Sequence, residues 1–430
     1  MVRFPRERYR LEQAALLLHT IKNDPDRLAL VLELQRLLIR QIVRGERRIR
    51  RLKRARQRFS ALKSRHRLTK DKALAVKGLV KRIDDLVVEI RHLLFLWRCF
   101  GDGIAAVYQS KYGLKHLLYD ADYNIKQDAG FLSDKAGFRQ EYRVCRLGIR
   151  MGVPVVMSDL TNMIRHGDVC GLGGADPLPI EMKSSKNRNA RTQRQTEQLQ
   201  VLADFFTNDG AENFRGALNT KRIEIRSPEV TYERELNEYL GRAAVCGFAA
   251  FSPEPGLRYI AFSGDCFSAQ PELLDAELSS YANPSSLCVS LTPDSNWLPA
   301  YPFTLSMDAA NSVLFMQEAV HIVVLIDLLV LKAHFKARSV HATALMDGTH
   351  ALQICLDPTD LMKGVMRISE QLFLRIACEF QSLKGFADEH STIFEAIDEA
   401  QGPVTLDSPG LLYEPPPGWQ GVRDCFESPE

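Results

Sequence analysis

Asp168, Glu181 and Lys183 carry the residue types and the spacing that could do chemistry. Asp168 ends one short apolar run, and Glu181 and Lys183 alternate with Ile180 and Met182 in the next. Successive side chains of an extended chain point to opposite faces, so Glu181 and Lys183 are expected to project together while Ile180 and Met182 turn into a core. If the two runs pair as a hairpin, Asp168 sits beside Glu181 on the same face. Two carboxylates form a hard-cation site, and a lysine next to it supplies a second cation. Oxygen ligands hold Mg²⁺ or Mn²⁺, the ion lowers the pKa of bound water, and the lysine orients that water or offsets charge on the phosphoryl group. Phosphodiester hydrolysis is the chemistry this set suits.

The elements around these residues can be read from periodicity. Ala136 to Arg150 places Phe138, Glu141, Tyr142, Cys145 and Ile149 near one helical face, with Glu141 an acid among apolar neighbours. Val153 to Asp159 and Met163 to Cys170 are strand-like, and a turn over Gly171 to Ala175 with Pro177 and Pro179 leads to a third strand, Ile180 to Ser184. A helix follows over Arg191 to Phe206, with Leu199, Leu202, Ala203 and Phe206 on its apolar face and Gln193, Arg194 and Gln195 in its first turns; Arg222 to Arg226 is a further strand. Lys183, Lys186, Arg188, Arg191 and Arg194 have no acid among them, which suits a phosphate track.

This order of helix, three strands, helix and strand, with the acids and lysine where they stand, resembles the PD-(D/E)XK, or restriction-endonuclease-like, nuclease superfamily over about Gly137 to Arg226. The resemblance implies an αβββαβ core and Mg²⁺-dependent (or Mn²⁺-dependent) cleavage of nucleic acid. It implies Asp168 and Glu181 as metal ligands, Lys183 as the catalytic cation, Glu141 as an accessory acid and Gln195 as a polar residue facing the site. Gln193 could take that last role; Gln195 is preferred because it lies four residues before Leu199. Gly167 stands where the superfamily name has proline. The plain alternative is an edge strand with a surface Glu-Lys pair and a buried structural Asp168.

Two helices precede this core. Leu38, Ile42, Gly45, Ile49 and Leu52, then Arg56 and Phe59, follow a 4-3-4-3 spacing, and Val76, Leu79, Ile83, Leu86, Ile90, Leu93 and Trp97 repeat it after a polar break at Ser64 to Asp71. That pattern predicts an antiparallel helical hairpin of coiled-coil character. Residues 40 to 72 hold fifteen Lys or Arg against Glu46 and Asp71, a local +13 in a chain whose total is +3, so the rest of the chain sums to −10. Like charges so arranged repel, and a solvated helix face usually mixes signs. Arg47, Arg48, Arg51 and Arg54 are therefore candidate nucleic-acid contacts, with the acidic body of a second copy as the other possible partner.

After the core, Leu287 to Leu291 is strand-like, Met307 to Lys336 reads as a buried helix, Ser339 to Leu356 as a hairpin or strand, and Leu361 to Leu383 as a helix. The expected organisation is a basic hairpin over 1–115, a nuclease domain over 116–268, an α/β domain of unassigned role over 269–402, and a proline-rich tail over 403–430. The fold class is α/β.

Nine scattered cysteines without a C-x-x-C motif read as reduced thiols in a cytoplasmic protein. The start, MVRFPRERYR, has no apolar signal core, and Ala319 to Leu331 is too short to span a bilayer. Gly171 to Gly174 precedes no Lys-Ser/Thr, so an ATPase or regulatory partner would be a separate protein. His166 reads as an ordinary strand histidine, and His321 and Asp327 as hydrogen-bonded core groups. The function expected is a DNA nuclease, with RNA left open, acting as a homodimer because double-strand cutting by one site per chain takes two chains. Its architecture resembles anti-phage defence effectors. The alternative is a catalytically silent nucleic-acid-binding or coiled-coil assembly protein on the same scaffold.

Overall fold

The computed structural model describes residues 2–65, 69–120, 130–182, 190–223, 227–281, 283, 285–360 and 364–399. The chain divides into two compact units, one of Arg6–Ala203 with Asp294–Leu305, the other of Met1–Pro5, Asp204–Pro293 and Ser306–Glu430. It is a mixed α/β protein with N-terminal helices and several small antiparallel sheets.

The first unit opens with α1 (Arg8–Asn23), α2 (Leu28–Arg65) and α3 (Lys70–Tyr108), followed by the single turn α4 (Lys111–Leu114). The predicted hairpin is α2 with α3. Leu38, Ile42 and Ile49 of α2 are buried with Ile83, Val87, Ile90, Leu94 and Trp97 of α3. A Cβ on Gly45 would lie 2.7 Å from Leu94 Cδ2, so the missing side chain permits close approach there. Arg56 Nε donates to Asp84 Oδ1 at 2.6 Å, and the two pairings run in opposite chain directions, as in an antiparallel pair. Leu79, expected in the seam, is exposed, and Val87 and Leu94 are buried. A straight helix drifts about 20° per heptad from a 3.5-residue repeat, which moves the buried line this way. Helix α1 had no strong signal, yet it buries Leu11, Ala14, Ala15, Leu18 and Ile21.

Next come α5 (Phe138–Arg150), β1 (Val155–Met157), β2 (Val169–Gly171), β3 (Leu178–Ile180) and α6 (Ala190–Asn208). The strands form one antiparallel sheet in the order β1-β2-β3, with Met157 opposite Val169 and Val169 opposite Ile180. The element order from α5 to α6 is the expected one, but β1 and β2 are shorter, and β3 ends at Ile180, where the expected strand over Ile180 to Ser184 begins, so Glu181 and Met182 follow the strand instead of lying in it. Asn162 and Met163 leave the ladder because Asp102 takes their donors: it accepts from Asn162 N at 2.7 Å, Asn162 Nδ2 at 2.8 Å and Met163 N at 2.9 Å. Ile180 does not turn into a core; it is exposed and Met182 half-buried, because β3 is an edge strand carrying Pro179.

In the second unit β4 (Gly210–Phe214) and β5 (Ala217–Lys221) form a two-stranded sheet. The expected strand over 222–226 is not seen at Arg222 and Ile223, and 224–226 lie outside the described residues. Then follow α7 (Glu233–Cys246), β6 (Phe248–Glu254), β7 (Leu257–Ser263), α8 (Gly264–Ala269), α9 (Pro271–Tyr281), β8 (Ser286–Leu291), α10 (Phe303–Ser306), α11 (Ala309–Met316), β9 (Val320–Asp327) and α12 (Leu328–Ala337). Four of these strands make an antiparallel sheet in the order β6-β7-β9-β8.

The predicted helix over Met307 to Lys336 is thus broken by a central strand. The reason is composition: Val320, Ile322, Val323, Val324 and Ile326 are β-branched, and a continuous apolar run suits a strand buried on both faces as well as a buried helix. Asp327 caps α12, accepting from Leu329 N at 2.9 Å, and His321 stacks on Phe262 with ring centroids 5.4 Å apart. The unit ends with β10 (His341–Ala344), β11 (His350–Cys355), β12 (Val365–Ser369), α13 (Glu370–Phe373), α14 (Arg375–Cys378) and α15 (Leu383–Glu399). The predicted hairpin is β10 with β11, while the predicted helix over 361–383 is a strand and two short helices over its described part. Among the described residues no helix is long and apolar enough to cross a membrane.

Candidate active site

Glu141 lies in the first turn of α5 and is buried. Asp159 sits in the 3-10 turn Ser158–Leu160 that leaves β1. Asp168 immediately precedes β2, set by Gly167 at φ +70°. A Cβ on Gly167 would come within 2.7 Å of Ile180 N, and proline, whose φ is fixed near −65°, cannot take this conformation. That is the local reason for glycine before the acid. Asp168 N donates to Ile180 O at 2.9 Å, and Asp168 Oδ2 accepts from Met182 N at 2.8 Å. The ladder ends at the Val169–Ile180 pair, and Glu181, half-buried, follows it.

The three acids meet at a lysine. Lys135 Nζ lies 2.8 Å from Asp168 Oδ1, 2.9 Å from Asp159 Oδ2 and 3.0 Å from Glu141 Oε2. The absence of a side chain at Gly137 makes room, since a Cβ there would lie 2.7 Å from Glu141 Oε1. The segment carrying Lys135 is fixed from α2: buried Glu46 accepts from Leu132 N at 3.0 Å and Ser133 N at 2.6 Å, and Arg50 donates to Asp134 and to Ser133 O. One of the two acids in the basic stretch is therefore structural.

Burial pushes the Glu141 carboxyl up to about 7; Lys135 pulls it down, while Asp168 and Asp159 push it further up. Burial would lower Lys135, but Asp159, Asp168 and Glu141 outweigh it and hold the ammonium above its ordinary range. Three acids face one ammonium, so acidic groups outnumber the cation whether or not Glu141 carries its proton. Their oxygens converge on the Lys135 ammonium at hydrogen-bond distance. Among the described residues no group of three or more His, Cys, Asp or Glu side chains is placed to hold a metal ion, and Lys135 takes the central position between these acids.

Of the expected site residues, the structure brings Asp168 and Glu141 together on one lysine and leaves Glu181 just past the end of the β2–β3 ladder. Lys183, Lys186 and Arg188 lie outside the described residues, as do the side chains of Arg191 and Gln195 on α6. Gln193 donates to Glu197 Oε1 at 3.0 Å, and Arg194 is exposed. Arg47, Arg48, Arg51 and Arg54 are exposed on α2. His166 is buried with Nε2 2.8 Å from Tyr119 O, a structural contact.

Sequence reasoning missed Lys135 and Asp159. Asp159 stood at the end of an expected strand, where its acid type was a usable signal; Lys135 sits in a polar stretch with no periodicity to mark it. Comparison with protein-family models, curated proteins and solved structures finds no match.

Proposed function

We propose that this chain is a metal-dependent nuclease that hydrolyses phosphodiester bonds in DNA, with α5, β1 to β3 and α6 as a restriction-endonuclease-like core. The observation that carries the reading is the convergence of Glu141, Asp159 and Asp168, from three separate elements, on one cationic position. In this reading Asp168 and Glu181 hold Mg²⁺ or Mn²⁺ with Asp159 beside them. When bound, the ion supplies Lewis-acid polarisation of the phosphoryl oxygens and lowers the pKa of water. Met182 N orients the Asp168 carboxylate. Glu141, with its carboxyl near 7, can hold or release a proton at neutral pH. Lys183 is the catalytic cation of the proposal, and the exposed arginines of α2 bind backbone phosphates. Cutting both strands would use two chains.

A second reading rests on Lys135 itself, whose ammonium satisfies the acids without any metal; the scaffold would then bind nucleic acid or assemble without cutting. Incubating the protein with supercoiled, linear and single-stranded DNA, with Mg²⁺, Mn²⁺ or chelator, beside Asp168→Ala and Lys183→Ala, separates the two. Metal-dependent cutting lost in both folded variants supports the nuclease, and full cutting by both variants refutes the assignment.

A further inference from the structure

A cleft of about 800 Å³ lies in the first unit between α2, α3 and the segment before α5. Its rim holds Arg6, Arg40, Arg44, Arg47, Arg48 and Arg51, all exposed. The last five recur along α2 at three- and four-residue steps and so share one face. Beneath them the floor is apolar, made by Val43, Leu93, Leu94 and Phe138. The two acids of the lining are already engaged: Glu7 Oε2 accepts from Arg10 at 2.9 Å and Asp134 accepts from Arg50. Among the described residues none of the six rim guanidinium groups has a hydrogen bond or ion pair. Ser133, also in the lining, is almost fully buried, and its Oγ has no hydrogen-bond partner.

Each feature selects a ligand property. The volume falls in the range of small-molecule sites. Six uncompensated guanidinium groups exceed what a monoanion offsets, and phosphoryl groups take arginine forks in bidentate pairs. An apolar floor under guanidinium planes accepts a flat, stacking ring. The unpaired serine hydroxyl offers one more donor or acceptor. We propose that this cleft binds a phosphorylated nucleoside, with the base on the floor and two or more phosphates on the arginine rim. The ligand is either a free nucleoside polyphosphate or the 5′-phosphorylated end of a strand. The site deepens the reading above, in which these α2 arginines take backbone phosphates, and a chain that cannot cut can still bind here.

The test is calorimetric titration of the full chain, in chelator so that nothing is cleaved, with ATP, inorganic triphosphate, and an oligothymidylate carrying a 5′-phosphate or a 5′-hydroxyl. ATP or the 5′-phosphorylated strand should bind at least about tenfold more tightly than inorganic triphosphate or the 5′-hydroxyl strand, respectively. The double variant Arg44→Ala/Arg48→Ala should weaken that binding at least about tenfold with unchanged helical circular dichroism, because both side chains are exposed. Preference for ATP names the free nucleotide as the source, and preference for the phosphorylated strand names a strand end. Equal binding of ATP and inorganic triphosphate with no preference for the 5′-phosphate overturns the proposal, as does binding unchanged in the folded double variant. All arms are read in chelator, with no metal-dependent step, so a failure of the nuclease assignment is read separately.

Discussion

Replacing Glu141 by Gln should stabilise the protein at high pH while slowing its proposed chemistry. The Glu141 carboxyl titrates near 7 in the folded chain against 4.5 as its ordinary value, chiefly because it is buried. Between those values the native state keeps a proton that the unfolded state has released, so stability falls as pH rises through that window. At about 1.4 kcal/mol per pH unit, the interval corresponds to about 3 kcal/mol, absent near pH 4 and fully expressed by pH 8. The attraction of Lys135 is already contained in that value. Glutamine copies the shape of the protonated acid and does not titrate. The stability difference between Glu141→Gln and wild type should therefore grow in favour of the variant by about 3 kcal/mol from pH 4 to pH 8. Urea unfolding followed by far-ultraviolet circular dichroism at one-unit pH steps reads this directly, because titrating groups away from this cluster cancel in the difference. A flat difference, or one that moves towards wild type as pH rises, would refute the claim that burial dominates Lys135 at this acid.

Gly101→Ala should destabilise the first unit by about 1–3 kcal/mol, since its Cβ would lie 1.9 Å from the Leu160 carbonyl oxygen and that backbone must shift; an unchanged urea midpoint contradicts this close approach. Arg375, buried in the second unit, is paired with Glu229 at 2.9 Å, Glu379 at 2.6 Å and Glu389 at 2.7 Å. Arg375→Ala should cost about 3–5 kcal/mol, and an unchanged thermal midpoint would show the network to be dispensable. Lys135→Met removes the ammonium that competes for the acids, so Mn²⁺ should bind about tenfold more tightly, and equal or weaker binding would show that Lys135 does not occupy the cation position.

The sequence was most informative where periodicity is long. The hairpin of α2 and α3 was legible because its apolar repeat runs through Leu38, Ile42, Ile49, Ile83, Ile90 and Trp97, all buried. The acids Glu141 and Asp168 were legible because each interrupts an apolar pattern. Strand β9 was misread as helix because a fully apolar run carries no period, and only its β-branched composition pointed the other way. Lys135 was invisible because what makes it functional is contact with residues up to thirty-three positions away, a property of the fold and not of local spacing. The left-handed Gly167 explains after the fact why that position is glycine and not proline.

The most direct test of the central claim is whether the acids hold a metal at all, since a nuclease waiting for its substrate or partner still binds its ion. Titration of Mn²⁺ into the wild-type chain, followed by electron paramagnetic resonance, should show a bound ion that is lost in Asp168→Asn. Equal Mn²⁺ binding by wild type and the folded Asp168→Asn, or no binding by either, would contradict the account.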